Sequence, residues 1–233
     1  MTELRYSPEH EVTFVLPATA FENIFQSLQP PTGMITVGQR DYKLFRRKRN
    51  VALHFFAKSD DLDIKLRLQF RFKKGQIKAR FSPKMVVGNQ IVEGRWKEDI
   101  EIGKAFSKVN GFGPIIASFI KEQFKQTYVS GGRRLQLSLD KVIGFNPEAS
   151  GQHGLPFYHL EVESDYPQSL EEFTNCDYFH NHISPWVRCM EHYDTKWLQA
   201  SLYCKGDFCF KFSTESSLLD YLMSIKQKLL PRI

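Results

Sequence analysis

Residues 63–72, Asp-Ile-Lys-Leu-Arg-Leu-Gln-Phe-Arg-Phe, alternate polar and apolar side chains without a break. Successive side chains of an extended chain point to opposite faces. A strand here has one face of Ile64, Leu66, Leu68, Phe70 and Phe72, and another of Lys65, Arg67, Gln69 and Arg71. The apolar face demands burial. The cationic face either meets bulk water or lines a cavity suited to something negative.

The same alternation recurs along the chain. Lys73-Lys74-Gly75 reads as the turn of a hairpin whose second arm, 76–82, puts Lys78 and Arg80 on one face. Segment 9–16 groups Glu9, Glu11 and Thr13, and 91–102 groups Glu93, Arg95, Lys97, Asp99 and Glu101. Segment 133–143 groups Arg134, Gln136, Ser138 and Asp140, and 156–164 groups His159, Glu161 and Glu163. Residues 41–58 are also strand-like, with a basic run from Arg46 to Arg49 that reads as a solvated face or as a guide for a polyanion. Helices are expected at 18–28, at 168–175 and at 214–230, and a hairpin across Lys205-Gly206-Asp207. A further helix is expected over 114–126, where Ile116, Phe119, Ile120 and Phe124 recur at helical spacing behind Pro114. The pattern predicts an α+β chain, mainly antiparallel β. A β domain occupies 1–175, and a cysteine- and aromatic-rich extension, 176–233, packs on it.

With 233 residues, 42% hydrophobic and 14% aromatic, the chain can bury a sizeable core. Its net charge of +6 favours polyanionic partners. There is no apolar leader at the N-terminus, and no apolar run approaches the ~20 residues of a membrane span. A soluble, intracellular (cytoplasmic) protein with no membrane partner is the expectation. All 4 cysteines lie in the last quarter of the chain, which excludes a dense disulfide framework. Cys176, His180, His182, Cys189, His192, Cys204 and Cys209 offer soft ligands for zinc, but their spacing matches no finger or ribbon. Buried, reduced cysteines among aromatics are expected instead. The chain has no P-loop, nucleophile elbow or dinucleotide fingerprint.

Two readings of the charged faces stand at this point. One is an ordinary sheet with its polar side in solvent. The other is a barrel with that side inward. Arginine is frequent on these faces, and each strand leans to one sign. The acidic pairs Glu9/Glu11 and Glu161/Glu163 put carboxylates ~7 Å apart on one face. That arrangement suits a hard divalent cation shared through oxygen ligands and water.

In this order, the motifs resemble those of the CYTH-like triphosphate tunnel metalloenzymes. The family's opening Glu-x-Glu-x-Lys strand resembles Glu9-His10-Glu11-Val12-Thr13, and its Leu-Arg-x-Arg strand resembles Leu66-Arg67-Leu68-Gln69-Phe70-Arg71 with the second arginine displaced. Its lysine-bearing strand is similar to Ile77–Phe81, and its basic-x-acidic-x-acidic strand to Lys97–Glu101. The closing pair resembles Leu139-Asp140 and Glu161-Val162-Glu163.

The resemblance, covering residues 9–175, implies a closed or nearly closed β-barrel, the triphosphate tunnel, with flanking helices. It implies hydrolysis of inorganic tripolyphosphate or of a nucleoside or RNA 5′-triphosphate. A nucleotidyl cyclase, a polyphosphate polymerase or a non-catalytic polyphosphate-binding tunnel are its alternatives. Glu9, Glu11, Glu161 and Glu163 would hold Mg²⁺ or Mn²⁺. Lys65, Arg67, Arg71, Lys78, Arg80, Arg95, Lys97 and Arg134 would bind phosphates, and Glu11, Glu161, Glu163 and Arg67 would carry the catalytic step. Asp99, Glu101 and Asp140 would hold the basic groups or orient water. The chain departs from the family at Thr13, where a lysine orients the phosphates or the attacking water. That departure touches hydrolysis more than binding.

Overall fold

A computed structural model describes residues 6–8, 10–28, 33–58, 64–73, 76–87, 90–94, 104, 107, 111, 115–144 and 156–191. Among them the strands are β1 (Tyr6–Pro8), β2 (His10–Leu16), β3 (Met34–Val37), β4 (Arg40–Lys58), β5 (Ile64–Lys73), β6 (Gln76–Val87), β7 (Gln90–Gly94), β8 (Ile115–Ser130), β9 (Arg133–Gly144), β10 (Phe157–Ser164) and β11 (Cys189–Glu191). The helices are α1 (Ala18–Ser27), α2 (Pro167–Thr174) and α3 (Asp177–His182), followed by a 3₁₀ turn at Ser184–Trp186. No helix among the described residues is long and apolar enough to cross a membrane.

The strands form one antiparallel sheet in the order β1-β7-β6-β5-β4-β8-β9-β10-β2-β11, with β3 also paired to β4. β1 and β2 sit near opposite ends of this order, yet one residue separates Pro8 from His10. A trans chain advances ~3.8 Å per residue, so the two ends of the sheet must meet. The sheet is therefore curled into a nearly closed barrel, although no ladder closes it among the described residues.

Two-residue turns set the hairpins. Gly131 and Gly132, both at positive φ, join Ser130 to its partner Arg133, the conformation that a right-twisted two-residue hairpin requires. Gly38, at φ 60°, does the same between β3 and β4.

The barrel is inverted relative to a soluble sheet with one wet face. Its outward side is the apolar one: Val12, Phe14, Leu16, Leu135, Leu137, Leu139, Leu160 and Val162 are buried there against Ala20, Ile24 and Leu28 of the α1 region and Phe173 and Phe179 of α2 and α3. Polar anchors fix these helices. Tyr42 Oη lies 3.2 Å from Ser169 Oγ, Tyr178 Oη donates to Ser27 O at 2.9 Å, and the Gln126 side-chain amide donates to Leu28 O.

The helix expected over 114–126 is instead strand β8, paired to β4 on one side and β9 on the other. Phe119 and Ile120 are both buried, on opposite faces. Apolar residues on both sides of a central strand imitate helical spacing, and two full ladders outweigh local propensity. From Phe119 on, Lys121, Gln123, Lys125 and Thr127 alternate with Ile120, Glu122, Phe124 and Gln126. Strand expectations at 41–58, 63–72, 133–143 and 156–164, and helix expectations at 18–28 and 168–175, agree with the structure to within a few residues. The expected strand 91–102 is described only as β7, and the expected hairpin at 205–207 and helix at 214–230 lie outside the described residues.

Leu160 is fully buried between the sheet and the helices. Leu160→Ala is expected to destabilise the protein by about 2–5 kcal/mol, read as a lower urea midpoint at unchanged slope.

Candidate functional site

Register places one polar side chain after another on the inward face. On β10, His159, Glu161 and Glu163 lie opposite Asp140, Ser138 and Gln136 of β9, and Glu161 and Glu163 lie opposite Thr13 and Glu11 of β2. Across β8, Gln123 and Lys125 lie opposite Asp140 and Ser138. Beyond it come Lys48, Asn50 and His54 of β4, then Gln69 and Arg71 of β5. Thr13, Ser138, Asp140 and His159 are wholly buried, and Gln136, Lys121, His54, Glu161 and Glu163 nearly so. A polar face this deeply buried is not a solvent face. The alternation that opened the sequence reading belongs to the wall of a lumen.

Burying charge is costly unless it is paired. Lys121 Nζ lies 2.6 Å from Asp140 Oδ2 and 3.5 Å from Glu161 Oε2. In register Lys121 is level with Val142, so its reach to Glu161 is diagonal across the sheet, as the tilted strands of a barrel bring staggered residues together. Lys125 Nζ lies 3.7 Å from Glu163 Oε1, and the Gln136 amide donates to Glu163. Gln123 donates to Ser138 at 2.6 Å, and Ser138 donates to Asp140 at 2.9 Å.

Glu11, Glu161 and Glu163 each place a carboxylate oxygen within 4.8 Å of the others. Burial, with Glu161 adding its negative charge and a hydrogen bond, pushes the Glu163 carboxyl up to about 7 against the pull of Lys125 and Arg134. Three converging carboxylates, all oxygen and no sulfur, are a donor set that fits a hard divalent cation.

Of the other residues expected at the site, Arg67, Arg71 and Arg80 are half-buried. Arg71 Nε donates to Gln69 Oε1 at 2.8 Å, and Gln69 Nε2 lies 3.1 Å from His54 Nε2, which ties this arm to the inward face. Arg80 is opposite Gln69, and Arg67 is opposite Phe56. Arg134 stands at the rim, its guanidinium donating to Asp165 at 3.0 and 3.2 Å. Lys65 and Lys78 lie in β5 and β6 opposite Lys58 and Arg71, but their side chains fall outside the described residues. Glu9, Arg95, Lys97, Asp99 and Glu101 lie outside them altogether. Thr13 is wholly buried, and its Oγ1 donates to Glu11 Oε1 at 3.4 Å.

Sequence reasoning missed Lys121 and Lys125 because it read their segment as a helix. The alternation from Phe119 to Val129 was the available signal. It also passed over Lys48, Asn50 and His54, whose spacing of two along 41–58 carries the same information. Within the basic run, Arg46, Arg47 and Arg49 are exposed and Arg49 pairs with Glu122. The expected soft-metal set is only partly described. Cys176 is a buried free thiol whose pKa burial raises, and among the described residues the only acidic, histidine or cysteine cluster of metal-binding dimensions is the three-glutamate one.

No protein-family model matches the sequence, and no curated protein matches it. Solved structures do. The PH1819 protein of Pyrococcus horikoshii OT3 is 15% identical, with 82% of this chain and 97% of that chain covered at a TM-score of 0.48. A Bacillus halodurans protein proposed to be an adenylate cyclase is 12% identical, covering 72% and 89% at 0.41. An RNA triphosphatase of S. pombe is 12% identical, covering 85% and 82% at 0.37. At these scores and identities the likenesses carry no part of the functional reading, which rests on the side chains.

The raised Glu163 carboxyl has a consequence for stability. Between about pH 4.5, its ordinary value, and about 7, the unfolded chain releases this proton while the folded chain keeps it. Stability in the presence of a chelator is therefore expected to fall as pH rises through this window and to level off above it. Glu163→Gln should flatten the dependence, measured as urea midpoints from pH 4.5 to 8.

Proposed function

We propose that the chain is a metal-dependent triphosphatase that hydrolyses a phosphoric anhydride inside its lumen. The observation that carries this is the buried inward face, on which three converging carboxylates share one cavity wall with lysines and arginines from several strands. A triphosphate carries about four negative charges, and positioning and neutralising them is most of the catalysis. Arg67 and Arg71 of β5, Arg80 of β6 and Lys125 of β8 bind phosphate oxygens from three strands, and arginine's planar fork suits that task. Arg134 acts at the rim, and Lys65, Lys78, Arg95 and Lys97 extend the same proposal. Glu11, Glu161 and Glu163, joined by Glu9, hold Mg²⁺ or Mn²⁺. That ion supplies charge neutralisation at the phosphates and activation of water. In a water-poor lumen each of these fixed charges acts more strongly than in solvent.

Position 13 has no lysine, but a cation reaches the same neighbourhood from β8. Thr13 is opposite Glu161 in register, and Lys121 Nζ lies 3.5 Å from Glu161. This supports turnover over a tunnel that only binds. The non-catalytic reading is favoured by the burial of Thr13, whose hydroxyl is spent on Glu11 rather than on a ligand.

Incubation with tripolyphosphate and Mg²⁺ or Mn²⁺ tests the proposal. Phosphate release is expected, falling about 100-fold or more in Glu161→Ala and in Arg67→Ala. Thr13→Lys is expected to raise it. Triphosphate binding without release in either metal would establish the non-catalytic tunnel. A cyclic nucleotide or a growing phosphate chain would establish a cyclase or polymerase.

A further inference from the structure

A chain of polar contacts crosses β8, β9 and β10 on the inward face and ends at the carboxylate cluster. The Gln123 amide of β8 donates to Ser138 Oγ of β9 at 2.6 Å, and Ser138 Oγ donates to Asp140 Oδ1 at 2.9 Å. Asp140 Oδ2 lies 2.6 Å from Lys121 Nζ, which lies 3.5 Å from Glu161 Oε2 of β10. Ser138 and Asp140 are wholly buried, and Lys121 nearly so. A serine has one O–H to give. Ser138 gives it to Asp140, so its lone pair is what accepts from Gln123, and the chain runs in one direction. A buried carboxylate facing an ammonium is already paired in charge. The further hydroxyl and amide set where it points.

We propose that Ser138 and Gln123 are positioning residues for Lys121. Their chain pins Asp140, and Asp140 holds the Lys121 ammonium beside Glu161, where it takes the task that Thr13 leaves open. The inference rests on the triphosphatase reading. Lys121 is level with Val142 in register, whereas Gln123 is level with Asp140, so the lysine must lean along the sheet to its place. A long, flexible lysine stem holds one position only where partners fix it. Asp140 is the nearer partner of Lys121, at 2.6 Å against 3.5 Å for Glu161. Among the described residues these two carboxylates face two of its three N–H donors, and the third is left for a phosphate oxygen or a water. A lysine at position 13 would reach Glu161 from β2, on one flank of β10. Lys121 reaches it across β9, on the other flank.

Two measurements test this. In phosphate release from tripolyphosphate with Mg²⁺, Ser138→Ala and Gln123→Leu are each expected to lower kcat about tenfold, the scale of one hydrogen bond to a charged group, with KM changed by less than about twofold. The two losses should not add, because both act through Asp140. Thr13→Lys, which brings a cation to Glu161 from the other flank, should restore most of the loss in Ser138→Ala. An unchanged kcat, additive losses, or an equal loss in the Thr13→Lys background would make the chain a matter of packing and overturn the proposal. The second measurement needs no turnover. It follows the Lys121 ammonium by NMR in protein carrying isotope-labelled lysine, with the signal assigned by its loss in Lys121→Arg. A sharp signal is expected in the unaltered protein, shifting on addition of tripolyphosphate and Mg²⁺ and broadened in Ser138→Ala and Gln123→Leu. A Lys121 signal unchanged in both variants would overturn the proposal. A signal that responds to tripolyphosphate and depends on Ser138, in a protein that releases no phosphate, would keep the positioning role and discard the triphosphatase.

Discussion

The charge balance of a buried polar face governs this molecule. The ion pairs of Lys121 with Asp140 and Glu161 join three strands, β8, β9 and β10, through their inward side chains. Without such pairs the wholly buried Asp140 would face a desolvation cost of several kcal/mol. The helices answer the same constraint from the other side. Because the barrel turns its polar residues in, its apolar residues face out, and α1, α2 and α3 cover those of β2, β9 and β10. The larger core of the described residues is therefore packed outside the barrel, and a small cluster of Phe56, Phe119 and Val142 lies inside it.

The lumen is graded along its length. At one end Phe56, Phe119 and Val142 form a small buried cluster, with His54 stacked on Phe119 at 4.8 Å. Next come Lys121, Asp140 and Glu161, then Lys125 and Glu163, and at the rim Arg134 with Asp165. The paired cations become more exposed toward the mouth, from Lys121 through Lys125 to Arg134. The three glutamates converge on a buried wall, and it is chiefly that burial, with Glu161 adding to it, that raises the Glu163 carboxyl. A divalent cation would lower it, and the phosphates that accompany such a cation would meet the surrounding lysines and arginines.

Strand identity was legible in residues 63–72, 133–143 and 156–164 because side-chain direction in a strand is a local property of period two. Alternation put Glu161 and Glu163 on one face, but bringing Glu11 beside them was implied only by the family resemblance, and in the structure it follows from the pairing of β2 with β10. Lys121 was not legible. Its segment carries apolar residues on both sides, Phe119 inward and Ile120 outward, and that pattern is ambiguous between a helix and a central strand.

The sequence by itself determined which residues share a face, because alternation follows from backbone geometry alone. Only the tertiary structure decided that this face turns inward. That choice depends on one residue joining β1 to β2 across the whole sheet, and on helices from distant segments covering the apolar side. The approach of Lys121 to Glu161 depends likewise on the stagger of tilted strands, which no single segment of sequence contains.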